Sequence, residues 1–145
     1  MAVKPIPDGY HTVTPFLNVK GLATLIDFLK SAFGAEEVMR MPGPGGAVVH
    51  AEVNIGNSRL MLGELMQTTT PSASYFYLYV NDADATFKRA VSAGATAESA
   101  PADQFWGDRM GTVKDPFGNR WSVATHKEDP SPEEMAKRMK ASMSQ

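Results

Sequence analysis

The sequence predicts an α+β fold built from two βαβββ modules in tandem, followed by a C-terminal helix. Strand-like and helix-like patterns follow one another in the same order twice along the chain. Residues of the first half recur 61 positions later, as Val19 does at Val80 and Arg59 at Arg120. We therefore expect a helix outside each half-sheet, while the other faces curve around a cavity as a half-barrel of mixed sheet.

The first module is predicted over about residues 10–66. It opens with an alternating strand over 11–19. Leu22 to Phe33 then carries apolar residues at helical spacing, and Gly34 favours a C-cap directly after them. The remaining strands of this module are expected at 36–41, 48–55 and 59–64, with a glycine- and proline-rich loop after the first of them.

The second module is predicted over about residues 74–128, after a polar linker. Asp82 is suited to cap a helix over 83–93, and Asp115 to Asn119 form a turn before the last strand. Ser131 and Pro132 then open a C-terminal helix over about 131–143. The strands of this module are expected at 75–80, 95–99, 109–114 and 120–125, with a loop at 101–107.

The composition excludes several classes of function. The net charge is −2, the pI is near 5.9, and basic residues are scattered rather than clustered, so no nucleic-acid partner is expected. Cysteine is absent, which removes disulfides, thiolate metal sites and cysteine nucleophiles. No apolar run is long enough to predict a membrane span or a secretion signal. We expect a single cytoplasmic domain over residues 1–145, with no membrane partner.

Four sequence segments carry a resemblance to a known protein family. They are Ile26-Asp27-Phe28 through Ala35, His50-Ala51-Glu52 with Arg59-Leu60-Met61-Leu62, Phe105-Trp106-Gly107-Asp108-Arg109, and the Asp115 turn through His126. With the doubled βαβββ order, they make the chain resemble the vicinal oxygen chelate superfamily of glyoxalases, bleomycin-resistance proteins and extradiol dioxygenases. The likeness is greatest to its PhnB-like branch and covers roughly residues 10–128. It implies a fold, but it does not fix an activity.

The resemblance also implies where a metal would be bound. Members that use a metal take His and Glu ligands from inward positions of the first and last strands of each module. Those positions correspond here to Thr14, Met61, Tyr75 and Ser122, with Gly63 as the alternative to Met61. None of these side chains is a good ligand for a divalent cation. We therefore expect no cofactor, and Zn²⁺, Fe²⁺ or Mn²⁺ only as the weaker alternative.

Other candidate site residues are predicted from strand parity. His50 and Glu52 share one strand face, where they could act as a general base with its orienting carboxylate, as part of an unconventional metal site, or merely as a hydrogen-bonded pair. Tyr75 and Tyr77 belong to an aromatic stripe that could contact a planar ligand or fill the cavity themselves.

Two residues near the start of the seventh strand are further candidates. Arg109 could clamp an anion with Trp106 stacked on it, or Arg109 could form a structural ion pair with Asp108 or Glu52. His126, in contrast, is predicted to lie in a solvated segment after the last strand.

These observations predict a homodimer that binds a small organic ligand, planar or anionic, without the usual metal site. The alternative is an enzyme of the lyase, isomerase or dioxygenase type, with or without a metal, that uses His50 and Glu52 in the same cavity. A third possibility is an interaction protein that uses its sheet edges and C-terminal helix for assembly.

Overall fold

A computed structural model describes residues 3–65 and 72–143 of the chain. The chain divides into two compact units, Met1–Ser74 and Tyr75–Gln145. Residues 66–71, most of the predicted linker, lie outside the described part. Each unit contains one four-stranded mixed sheet and a helix that packs on it.

The first unit follows the predicted order closely. Its elements are β1 (Phe16–Val19), α1 (Leu22–Phe33), β2 (Glu36–Pro42), a 3₁₀ turn (Pro44–Gly46), β3 (Val48–Ile55) and β4 (Ser58–Glu64). The sheet order is β1-β4-β3-β2, with β1 parallel to β4 and the other pairs antiparallel. Gly34 caps α1 in the left-handed conformation with φ of 67°, as predicted.

The second unit repeats this topology. Its elements are β5 (Tyr75–Tyr79), α2 (Ala83–Ser92), β6 (Thr96–Asp103), β7 (Asp108–Lys114), β8 (Arg120–His126) and α3 (Pro132–Met143). The sheet order is β5-β8-β7-β6, with β5 parallel to β8. The prediction of two βαβββ modules in tandem with a C-terminal helix is therefore confirmed.

Three differences from the predicted boundaries affect candidate residues or a sheet edge, and the other element ends differ by one residue at most. The first strand starts at Phe16 rather than at residue 11, and it follows Pro15, which has no N–H to donate to a ladder. As a result, Thr14 precedes the strand. The predicted loop 101–107 is partly strand, because β6 lies at a sheet edge and accommodates Pro101 with a register shift between Ser99 and Ala102. The last strand extends to His126.

The hydrophobic core of each unit lies between the helix and one face of the sheet. In the first unit, α1 buries Leu25, Ile26 and Leu29 completely, and the sheet contributes Val53 and Leu62. In the second unit, Trp121 and Val123 are buried, and the Trp121 ring stacks on Phe76 with centroids 4.5 Å apart. The helix-free face of each sheet is therefore the face on which polar side chains can gather.

The first backbone N–H groups of α1 and α2 donate hydrogen bonds to side chains at equivalent positions of the two modules, near the ends of β4 and β8. The Glu64 carboxylate, at the end of β4, accepts hydrogen bonds from the backbone N–H groups of Gly21 and Leu22 at 2.8 to 3.1 Å. At the end of β8, the Thr125 hydroxyl oxygen accepts one from Ala83 N–H at 2.8 Å. Each module thus ties its helix to its last strand through one side chain.

We expect Glu64→Ala to lower the free energy of unfolding by about 1 to 2 kcal/mol, because the N-cap residue Gly21 has no side chain to cap α1 and a carboxylate suits a helix N-terminus. Glu64→Gln, which keeps an acceptor oxygen but loses the charge, should lose about half as much. Urea denaturation of both variants measures the difference. Equal stability of Glu64→Ala and the parent protein would show that this contact does not hold the helix.

Candidate functional site

The side of the second sheet opposite α2 carries the richest set of functional groups. Strand parity fixes this face, because Phe76 and Trp121 stack on the helix side, where Gly111 also approaches Phe87 of α2. We call it the open face of the second sheet. Its residues are Tyr75, Tyr77 and Tyr79 of β5, Asp108, Met110 and Thr112 of β7, and Ser122, Ala124 and His126 of β8.

Asp108 is the centre of a hydrogen-bond network on this face. Its carboxylate is 2% exposed and accepts four hydrogen bonds. The donors are Tyr77 Oη at 2.6 Å, His126 Nδ1 at 2.8 Å, Tyr79 Oη at 3.0 Å and Trp106 Nε1 at 3.1 Å. Two strands and the loop before β7 therefore converge on one buried carboxylate.

The network sets the charges of its members. Burial by itself raises the pKa of Asp108, but the hydrogen bonds from its four donors more than offset this and hold the pKa below its ordinary value. Burial and the bond to Asp108 raise the pKa of Tyr77, and the bond to Asp108 raises that of Tyr79. Asp108 is thus an anion, and both phenols are neutral donors that point inwards.

A second chain of hydroxyl groups lies beside the first. Tyr75 Oη and Ser122 Oγ are 2.6 Å apart, and Ser122 Oγ is 2.8 Å from Thr112 Oγ1. Ser122 is completely buried, whereas Tyr75 is 58% exposed. The ring of Tyr75 is therefore anchored by its hydroxyl group, while much of the side chain faces solvent.

The first unit brings together another pair of candidates. His50 Nε2 lies 3.3 Å from Glu52 Oε2, and Arg59 Nη1 lies 3.6 Å from Glu52 Oε1. Arg59 also donates from Nε to Asn54 Oδ1 at 2.7 Å and lies over the Tyr10 ring. Glu52 thus already contacts the side chains of His50 and Arg59, and the His50–Glu52 pair belongs to a compact polar cluster.

The positions that the family resemblance implies for a metal do not fit one. Met61 offers a thioether, Tyr75 and Ser122 are hydrogen-bonded to each other, and Thr14 lies outside the sheet. Divalent cations in catalytic sites prefer imidazole and carboxylate donors. Within residues 3–65 and 72–143, no three His, Asp or Glu side chains are arranged to hold a metal ion.

Arg109 and Trp106 lie in different environments. Arg109 donates to Asp84 of α2 at 2.7 Å and to Asp103 at 3.3 Å, so it pairs on the helix side of β7. The indole N–H of Trp106 is directed instead towards Tyr77 and Asp108. Arg109 thus forms a structural ion pair, as one of its two interpretations predicted, but its partners are Asp84 and Asp103 rather than the predicted Asp108.

Sequence reasoning missed His126 and the central place of Asp108. His126 is exposed, as predicted, but it belongs to β8 rather than to a segment after it, and it contacts two carboxylates. Parity could have found it, because extending the last strand by one residue puts His126 on the face of Ser122. Pairing of β7 with β8 then puts Asp108 directly beside it.

Residues 10–123 match the model of the Glyoxalase/Bleomycin resistance protein/Dioxygenase superfamily. The chain belongs to this superfamily. An uncharacterized protein of Mycobacterium bovis is 42% identical over 122 residues, which cover 77% of this chain and 80% of the relative. Protein YjdN of Escherichia coli is 28% identical over 95 residues, covering 63% of this chain and 65% of the relative.

Solved structures share the fold of this superfamily member. A gene product from Arabidopsis thaliana has a TM-score of 0.67 and 28% identity, over 79% of this chain and 98% of that chain. A glyoxalase-related enzyme from Fulvimarina pelagi has a TM-score of 0.65 at 19% identity, over 80% of this chain and 88% of that chain, and it shows the fold alone. No helix in the described parts of the chain is long and apolar enough to cross a membrane.

Proposed function

We propose that this superfamily member binds a small planar organic molecule on the open face of the second sheet, without a divalent cation. The observation that carries the proposal is the row of exposed tyrosine rings backed by buried hydrogen-bond acceptors. Tyr75, Tyr77 and Tyr79 are 58%, 39% and 66% exposed. Aromatic rings that remain exposed on a folded surface are typical of ligand and partner sites.

The hydrogen-bond network makes this row suitable for binding. The hydroxyl groups of Tyr77 and Tyr79 both point to Asp108, and their rings lie 5.3 Å apart between centroids. Because the hydroxyl groups are fixed, the rings lose little conformational freedom when a ligand packs on them. The face therefore offers a rigid aromatic surface rather than a set of mobile side chains.

Thermal unfolding of the full chain with a panel of planar aromatic compounds tests the proposal. A compound that binds the native state raises the melting temperature. Tyr79→Ala should raise the ligand concentration needed for a given rise in melting temperature by about three- to tenfold, since one aromatic contact is lost. Tyr10→Ala, which removes an aromatic ring from the first unit, is the matched control and should leave the response unchanged. If the panel gives no stabilisation, the proposal fails.

An enzyme is the second candidate, and the 3.3 Å contact between His50 and Glu52 favours it. In this alternative the pair acts as a base with its orienting carboxylate, or as part of an unconventional metal site. Metal analysis of the purified protein, with His50→Ala and Glu52→Ala as controls, distinguishes a metal site from a metal-free base. Metal near one equivalent that both substitutions abolish would support a metal enzyme, whereas a metal-free base would be found by assay of proton exchange in the substrate.

Three finer expectations belong to the same proposal. The chain is expected to form a homodimer, which sedimentation equilibrium measures directly. It is expected to act in the cytoplasm, which fractionation of the producing cells tests. Its assignment to the PhnB-like branch stays a prediction that rests on the four sequence segments that carry the resemblance.

A further inference from the structure

We propose that the ligand of the open face carries a carboxylate or similar anionic oxygen, which His126 Nε2–H binds in place of Asp129. The inference rests on the proposed function and specifies its ligand as an aromatic anion. It follows from three features of His126: its protonation, the nature of its outer partner and its position beside the tyrosine rings.

Both ring nitrogens of His126 face carboxylate oxygens. Nδ1 lies 2.8 Å from Asp108 Oδ1, and Nε2 lies 2.7 Å from Asp129 Oδ1. An ionised carboxylate only accepts hydrogen bonds, so both contacts are hydrogen bonds when each nitrogen carries a hydrogen, that is, when the ring is an imidazolium cation. The two hydrogen bonds, to Asp108 and to Asp129, raise the pKa of His126 above its ordinary 6.5.

The two carboxylates differ in how firmly they are held. Asp108 is 2% exposed and has four donors, so it is a fixed part of the site. The Asp129 side chain is 94% exposed, and it lies three residues after His126 on the segment that follows β8. An exposed pair of this kind contributes little free energy. A carboxylate from a ligand can therefore take the place of Asp129 at Nε2 with little loss.

The position of His126 indicates which anion would fit. Its ring is 6.4 Å from the Tyr79 ring, at an interplanar angle of 84°. A ligand whose acid group reaches Nε2 therefore has an aromatic surface beside it for its own ring. The ionisable groups that face His126 are Asp108 from β7, Asp129 after β8 and the neutral phenol of Tyr79 from β5. His126 is the cation among them.

Three compounds distinguish the contribution of the acid group to binding from that of the aromatic ring. They are indole-3-acetate, its neutral analogue indole-3-acetamide, and acetate. The full chain with labelled histidine is titrated with each, and the His126 ring resonances report binding. We expect indole-3-acetate to bind about tenfold more tightly than the acetamide at a pH below the pKa of His126. This preference should disappear as the pH rises through that pKa, because Nε2 then loses its hydrogen.

Two substitutions should act in opposite directions. Asp129→Asn removes the internal competitor and should strengthen binding of indole-3-acetate by about two- to fivefold. His126→Gln should abolish the preference for the acetate over the acetamide. Glu133→Gln removes an exposed carboxylate nearby in the chain and is the control that should change neither value.

The outcomes distinguish this inference from the proposed function. If the acetamide binds as tightly as the acetate, or if Asp129→Asn weakens binding, the anion site is overturned and the aromatic surface stands. If acetate alone shifts His126, and more strongly in Asp129→Asn, while the indole ring adds nothing, the anion site stands and the aromatic surface fails. If none of the probes shifts His126, both are overturned.

Discussion

Asp115→Ala is expected to lower the free energy of unfolding by about 4 kcal/mol, the largest single effect that the contacts indicate. The carboxylate is 4% exposed and accepts hydrogen bonds from the backbone N–H groups of Phe117 and Asn119, from Asn119 Nδ2 and from Trp121 Nε1. Its removal takes away the acceptor of four hydrogen bonds, three of which are buried. It also releases the turn that directs β8, in which Gly118 has φ of 90°.

Asp82→Ala is the matched control for this substitution. Asp82 also accepts a hydrogen bond within its own turn, from Ala85 N–H at 3.0 Å, but it is exposed and caps only α2. A loss of about 1 kcal/mol is expected there. Urea denaturation followed by tryptophan fluorescence compares the two, since Trp121 reports on the Asp115 turn. A similar small loss in both variants would contradict the assigned role of Asp115.

Asp108→Ala is expected to lower the free energy of unfolding by about 2 to 3 kcal/mol and to reduce binding of planar ligands on the open face at least about tenfold. The substitution removes the common acceptor of Tyr77, Tyr79 and Trp106. These side chains are partly exposed, so their hydroxyl and indole N–H groups can turn to water in the variant, which limits the loss of stability. The rings are then no longer held in place, so the loss of binding is the larger effect.

Asp103→Ala is the control for Asp108→Ala. Asp103 lies at the end of the neighbouring strand, its side chain is 81% exposed, and its ion-pair partner Arg109 keeps Asp84. We expect less than about 0.5 kcal/mol of lost stability and unchanged binding. Thermal unfolding with and without ligand measures both quantities. If Asp108→Ala loses stability but binds as well as the parent protein, the network is structural and does not organise a binding site.

The sequence determined most of the secondary structure. The extents of α1 and β3 agree with the predicted ranges, Asp82 and Ser131 cap the helices that they were predicted to cap, and the offset of 61 residues corresponds to a repeated sheet topology. These features depend on periodicity, capping and turn chemistry, which act over a few residues. Errors arose at prolines in both directions, because the first strand was predicted to run through Pro15 and β6 was predicted to end before Pro101.

Only the tertiary structure identified the candidate site. Strand parity placed Tyr77 on the open face, but it did not show that Tyr77, Trp106 and His126 share one carboxylate. Asp108 meets His126 because β7 and β8 pair in a particular antiparallel register, and its burial depends on tyrosines about 30 positions earlier in the chain. Periodicity reports which face a side chain occupies, whereas register and packing decide which side chains touch and which charges they keep.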